Sequence, residues 1–154
     1  MDSSRAIENL LHRYAELIDD GDLEGVARLF EHAEILAPAA LTGARGYEQV
    51  LAMYRKSTRL YPDNGTPHTR HVTTNAIIEV DEENGHASAR SYFTVFQAVE
   101  GFPLQPIIGG RYHDVFERHD GQWRFRERRM LPDLWGDLSR HLLYDASEVR
   151  EQAV

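Results

Sequence analysis

The chain has 154 residues, of which 42% are hydrophobic and 27% charged, the balance of one folded domain over residues 1–154 that can bury a core and still enclose a ligand-sized cavity. Its formal net charge of -8 argues against a nucleic-acid partner, which would need clustered positive charge. There is no cysteine, so disulfides, thiolate metal sites and cysteine nucleophiles are excluded.

The first residues, Met1-Asp2-Ser3-Ser4-Arg5, lead directly into an amphipathic pattern with no continuous apolar stretch. Neither a signal peptide nor a membrane anchor is expected there, and the expected location is cytoplasmic, with no membrane partner. Ile7, Leu10, Leu11, Tyr14 and Ile18 form the stripe of a core-facing helix, with Ser3 or Ser4 available as N-cap. At about 100° per residue Asp19 falls on the edge of that stripe, beside Leu11 and Ala15, while Asp20 falls on the solvent side. Gly21-Asp22 stops the helix and caps a second, striped by Leu23, Val26, Ala27 and Phe30. A short strand is expected from Ile35 to Leu41. A third helix is expected from Gly46 to near Leu60, with Val50, Leu51, Tyr54 and Thr58 inward, before the loop signals Pro62-Asp63-Asn64-Gly65 and Pro67.

Beyond Pro67 the period changes from 3.6 to 2. His71 to Val80, Ala87 to Val99, Ile107 to Arg118 and Gln122 to Met130 are rich in β-branched and aromatic residues, joined by Asn84-Gly85, Gly101 to Pro106, and Asp120-Gly121. Helices first and an antiparallel meander afterwards predict an α+β fold: a cone in which N-terminal helices cover a strongly curved, mostly antiparallel sheet and enclose a pocket. Gly109-Gly110 inside a strand marks a bulge or a close backbone approach. The tail from Leu134 to Leu143 has apolar residues at helical spacing and would pack over the cavity mouth or against a neighbouring subunit. The convex sheet face, which the helices cannot cover, points to a homo-oligomer, dimer or trimer.

An aspartate that reaches a histidine in an apolar pocket makes a proton-transfer pair, because the carboxylate fixes the imidazole tautomer and stabilises the cation formed at the other nitrogen. Asp19 and His71 are candidates for such a pair. Taken singly, Asp19 also reads as a solvated carboxylate at a helix end, and His71 as a strand-start histidine satisfied by backbone. His68-x-x-His71 lacks helical placement and a third ligand, so no metal is expected. No nucleophile elbow, P-loop or dinucleotide fingerprint occurs, and nothing calls for a cofactor.

With Tyr14 and Asp19 in the first helix and His71 opening the first long strand, the chain resembles the SnoaL-like branch of the nuclear transport factor 2-like superfamily. The stretch Ile107-Ile108-Gly109-Gly110-Arg111-Tyr112-His113-Asp114-Val115-Phe116-Glu117-Arg118-His119-Asp120-Gly121-Gln122-Trp123-Arg124-Phe125 is similar to a hairpin of that branch. Its members include scytalone and bile acid 7α-dehydratases, hexachlorocyclohexane dehydrochlorinase, ketosteroid isomerases, polyketide cyclases and small subunits of aromatic-ring dioxygenases. The resemblance implies a catalytic set of His71 as base, Asp19 as its orienting carboxylate, Tyr14 as an assisting hydroxyl and Arg128 as a cavity cation. Arg128 reads equally as a strand arginine that is solvated or paired with neighbouring acids such as Glu117 and Glu127. Tyr54, Tyr92, Thr94 and Tyr112 are candidates to line a substrate pocket or simply to pack in the core. Thr94 stands where the bile acid dehydratases carry a further acid. The implied function is a cofactor-independent lyase, a dehydratase or dehydrohalogenase with isomerisation as a close variant, acting on a mostly apolar cyclic small molecule. The alternative is a non-catalytic ligand-binding or accessory domain, or a polyketide cyclase.

Overall fold

The computed structural model describes residues 2–37 and 40–152. Helix α1 (Ser3–Asp19) buries Ile7, Leu11, Tyr14, Leu17 and Ile18, so the predicted stripe is its core face. Its N-cap is Asp2, one residue before Ser3 and two before Ser4: the carboxylate accepts the Arg5 backbone N–H at 2.9 Å. Gly21, at φ +75°, ends the helix in the left-handed region, and Asp22 caps α2 (Leu23–Leu29) by accepting from the Gly25 N–H at 2.8 Å.

The single strand expected over residues 35–41 is instead two antiparallel strands, β1 (Glu34–Ala37) and β2 (Ala40–Arg45), with residues 38 and 39 outside the described residues. Helix α3 (Gly46–Ser57) buries Val50, Leu51 and Tyr54 but stops three residues short of Leu60, because Thr58 turns extended and bridges to Leu142. Four long strands follow: β3 (Thr69–Asp81), β4 (His86–Val99), β5 (Phe102–His119) and β6 (Gln122–Trp135). The Gly101 to Pro106 connection is a tight turn, since β5 already begins at Phe102. The helical spacing in residues 134–143 is overruled. The long β5 pairs Ile108 with Trp135 and Gly109 with Leu134, which satisfies backbone groups that a short exposed helix would leave open. An irregular strap then leads to α4 (Ala146–Gln152).

The six strands form one sheet in the order β2-β1-β6-β5-β4-β3, antiparallel except for the parallel β1–β6 pair. It is strongly curved, with β2 and β3 as its edges, and does not close into a barrel. Alternation on β4 sends Ala87, Ala89, Ser91, Phe93 and Val95 to the buried face, opposite Phe116, Asp114, Tyr112, Gly110 and Ile108 of β5. A Cβ on Gly110 would lie 2.5 Å from the Leu131 carbonyl oxygen and 2.7 Å from Pro132 Cα, so at this register shift β5 and β6 approach too closely for any side chain.

The same alternation corrects two expectations. Tyr92 and Thr94 lie on the outer face, out of phase with Phe93 and Val95, and Tyr92 is 53% exposed, so neither lines the pocket. Across that outer face Val72, Thr94, Gly109 and Leu134 stand opposite one another on four successive strands. No helix among the described residues is long and apolar enough to cross a membrane.

Candidate active site

Asp19 is the last residue of α1, and its carboxylate reaches across to the start of β3. Oδ1 accepts the Thr69 hydroxyl at 2.8 Å and His71 Nδ1–H at 2.6 Å, while Oδ2 accepts the His71 backbone N–H at 2.8 Å. β3 is an edge strand, so this outward N–H has no ladder partner and the helix-end carboxylate takes its place. Both side chains are withdrawn from water, at 12% exposed for Asp19 and 7% for His71. Burial alone would raise the Asp19 carboxyl, but the His71 ring bond and the other donors outweigh it and hold the group below the usual carboxylate range. With Nδ1 donating to a carboxylate, Nε2 carries the lone pair. His68 turns away through a left-handed backbone, φ +56°, to pair with Asp63 at 2.9 Å, so the two histidines of the spacing motif do not converge.

His71 lines a cavity of about 150 Å³ between the helices and the sheet, enough for a single ring. Tyr14, Tyr54 and Tyr112 line it too. The Tyr14 and Tyr54 hydroxyls share a 2.9 Å hydrogen bond, and the Tyr14 ring stands edge-on to His71 and to Tyr112, with centroids 6.1 and 6.0 Å away. Burial raises the Tyr14 hydroxyl, partly opposed by the positive charge of Arg128, and pushes Tyr54 and Tyr112 well above the ordinary tyrosine value. All three are protonated donors at neutral pH.

Arg128 points inward but does not line the cavity. It is completely buried, and its Nε and Nη2 donate to the two Asp114 oxygens at 2.8 and 2.9 Å. The guanidinium carbon lies 3.8 Å from the centre of the Tyr112 ring and 4.5 Å from that of Tyr14. The cation therefore sits one layer behind the tyrosines and cannot touch a departing group, which corrects the role expected of it. The acid is neither Glu117 nor Glu127: Glu117 pairs with Arg124 at 3.2 Å, and Arg128 with Asp114. Burial would lower the Arg128 pKa, but Asp114 outweighs it and keeps the guanidinium charged. Asp114 was findable, because it shares inner-face parity with Tyr112 and Phe116.

Sequence reasoning missed His141. It lies in the strap after β6, is 8% exposed, and lines the cavity with its ring centroid 6.4 Å from that of His71. Burial, then the nearby His71, lowers its pKa to about 3. The unfolded chain therefore binds a proton near pH 6.5 that the folded chain refuses until about pH 3, and stability must fall on acidification across that window. Urea unfolding is expected to show up to about 1.4 kcal/mol lost per pH unit from this one group. His141→Phe should flatten that slope, and an unchanged slope would contradict the assignment.

The curved sheet capped by helices has the fold of solved proteins described as NTF2-like or as having a cystatin-like fold. The SnoaL-like domain model matches residues 1–129, and the chain belongs to that family. A protein of unknown function from Mycobacterium tuberculosis is similar at 24% identity over 97% of this chain and 88% of its own, with a TM-score of 0.68. A protein assigned as a scytalone dehydratase from Novosphingobium aromaticivorans is similar at 26% identity, over 88% of this chain and 93% of its own, TM-score 0.62. The β subunit assigned to an aromatic-ring-hydroxylating dioxygenase of that organism shares the fold at 21% identity, over 84% of this chain and 88% of its own, TM-score 0.63. None of the curated proteins matches the chain significantly.

Proposed function

We propose that the chain is a cofactor-independent lyase that eliminates water or halide from a mostly apolar cyclic small molecule, with isomerisation as a close variant. The observation that carries this is the 2.6 Å hydrogen bond from His71 to Asp19 at the wall of a ring-sized cavity. His71 Nε2 takes a proton from a ring carbon, Asp19 fixes the tautomer and stabilises the imidazolium, and Tyr14 donates to a substrate oxygen. The electron pair released from the C–H bond forms the ring double bond, the leaving group departs with its own pair, and a departing hydroxide takes the proton back from His71 to leave as water. Arg128 acts only through the Tyr14 and Tyr112 rings it lies against. An accessory domain has no need to spend a carboxylate on orienting a cavity imidazole.

The experiment is turnover of ring-sized probes. 3-Hydroxycyclohexanone should yield the enone, or a chlorinated cyclohexane should release chloride. No release from either by the folded wild type would contradict the reading.

The partner we propose for the outer sheet face is a second copy of the chain, since Leu134 is 70% and Tyr92 53% exposed there. Light scattering at micromolar concentration should give a dimer or trimer, and a monomer would overturn it.

A further inference from the structure

The cavity beside His71 measures about 150 Å³, below the roughly 300 to 1,000 Å³ in which small-molecule sites usually hold a whole ligand. It has an outer neighbour. A groove of about 580 Å³ runs along the strap after β6, and Trp135, Leu138, Leu142 and Tyr144 line the groove and the cavity alike, so the wall between the two is one residue thick. Of these four only Leu138 is buried, and the other three keep part of their surface in water. The inner space takes a ring, and the two spaces together take a ring with a chain attached.

What the chain carries follows from the charges that line the groove. Its two carboxylates are engaged within their own turns: Asp137 accepts the Ser139 N–H and Asp145 the Ser147 N–H, each at 2.9 Å. Its two guanidiniums, Arg59 and Arg150, have no ion pair among the described residues. Arg150 is exposed on α4, whereas Arg59 is half-buried and anchored to the wall itself. The Arg59 backbone N–H donates to the His141 carbonyl at 2.9 Å and Nη2 donates to the Leu142 carbonyl at 3.2 Å, which leaves the remaining N–H groups of the fork for an acceptor. A carboxylate matches that fork in shape and charge. We propose that the groove seats a second part of the ligand, a chain on the cavity-bound ring that passes Trp135 and Tyr144 and ends in a carboxylate held by Arg59. This rests on the reading of the inner cavity as the seat of a ring, and not on the elimination itself. The chain covers the apolar wall, and the ion pair, far from the reacting carbon, supplies binding energy that holds the ring against His71.

The test is calorimetric titration of the full chain with cyclohexyl-substituted acids, from cyclohexanecarboxylate to 6-cyclohexylhexanoate, and with the methyl ester of each. Affinity should rise along the acid series to an optimum, where the acid should bind roughly 10 to 100-fold tighter than its ester, the difference a charge-assisted pair makes. Arg59→Gln should remove that difference, Arg59→Lys should keep part of it, and Arg150→Gln should change it less than Arg59→Gln. In a Trp123→Phe background, which leaves Trp135 as the one tryptophan of the chain, its emission should shift as the best acid is added. An acid that binds the wild type no better than its ester, a preference that survives Arg59→Gln, a larger loss in Arg150→Gln, or an unmoved Trp135 emission overturns the inference. Turnover of 3-hydroxycyclohexanone by a wild type with no preference for the acids would sink it and leave the lyase reading standing. An Arg59-dependent preference without elimination from any ring probe supports it and sinks the lyase reading alone.

Discussion

His71→Ala is expected to lower turnover by roughly 10² to 10⁴-fold, the usual contribution of a positioned general base, while leaving the fold intact. Beside its edge-on contacts with Tyr14 and His141, the His71 ring contributes one hydrogen bond to Asp19, and the Thr69 hydroxyl and the residue-71 backbone N–H still satisfy that carboxylate in the variant. Asp19→Asn is the sharper version. An amide can present its NH₂ to Nδ1, which would move the imidazole proton to Nε2 and remove the lone pair from the cavity side; a loss on the order of 10⁴-fold is expected where the wrong tautomer is locked in. Because the two residues act as a unit, the double variant should be little worse than the poorer single one. Steady-state rates on a confirmed ring substrate, with circular dichroism as the fold control, check all three. Additive losses would mean that Asp19 and His71 act separately.

The second large effect is on stability. Arg128→Met would leave Asp114 buried without its bidentate partner, and removing one member of a buried ion pair typically costs about 3 to 5 kcal/mol. That is a substantial part of the 5 to 15 kcal/mol that holds a typical domain together, and a drop in melting temperature on the order of 10 °C is expected. The aromatic rings around the guanidinium deepen the loss, since the Tyr112 and Tyr14 faces lose a cation as well as contact. Asp114→Leu combined with Arg128→Met should recover most of the stability, because no orphaned charge remains and the surroundings are apolar. Urea unfolding separates these cases. If Arg128→Met is as stable as wild type, the buried pair between β5 and β6 does not stabilise the fold.

How much was legible follows from which signals are local. The stripe Ile7, Leu11, Tyr14, Ile18 and the alternation beyond Pro67 are periodic, so α1 and the four long strands were readable, whereas the pairing of Asp19 with His71 at the start of β3 joins distant segments and was implied by the resemblance rather than by the period. The outward phase of Tyr92 and Thr94 was also available in principle: once Phe93 and Val95 are taken as core, period 2 sends their neighbours outward. Other features depend on pairing between distant segments. That Arg128 stands opposite Asp114 rather than Glu117 or Glu127 depends on a register shift between Val115 and Phe116, which no turn residue announces. His141 lies in an irregular strap whose position comes from hydrogen bonds to Arg59 and Gln97, so nothing in its own neighbourhood of sequence marks it as a cavity residue. Residues 134–143 show the conflict most plainly, because their helical spacing is real but a long partner strand wins the backbone bonds.

The central claim is that Asp19 and His71 together take a proton from a ring carbon inside the cavity, and solvent deuterium exchange reads that step without needing a leaving group. Cyclohexanone in D₂O with the wild-type protein should exchange its α hydrogens, followed by proton NMR, at a rate proportional to protein concentration and saturable by the ketone. His71→Ala and Asp19→Asn should fall to the rate of buffer alone. Exchange as fast in His71→Ala as in wild type would contradict the account.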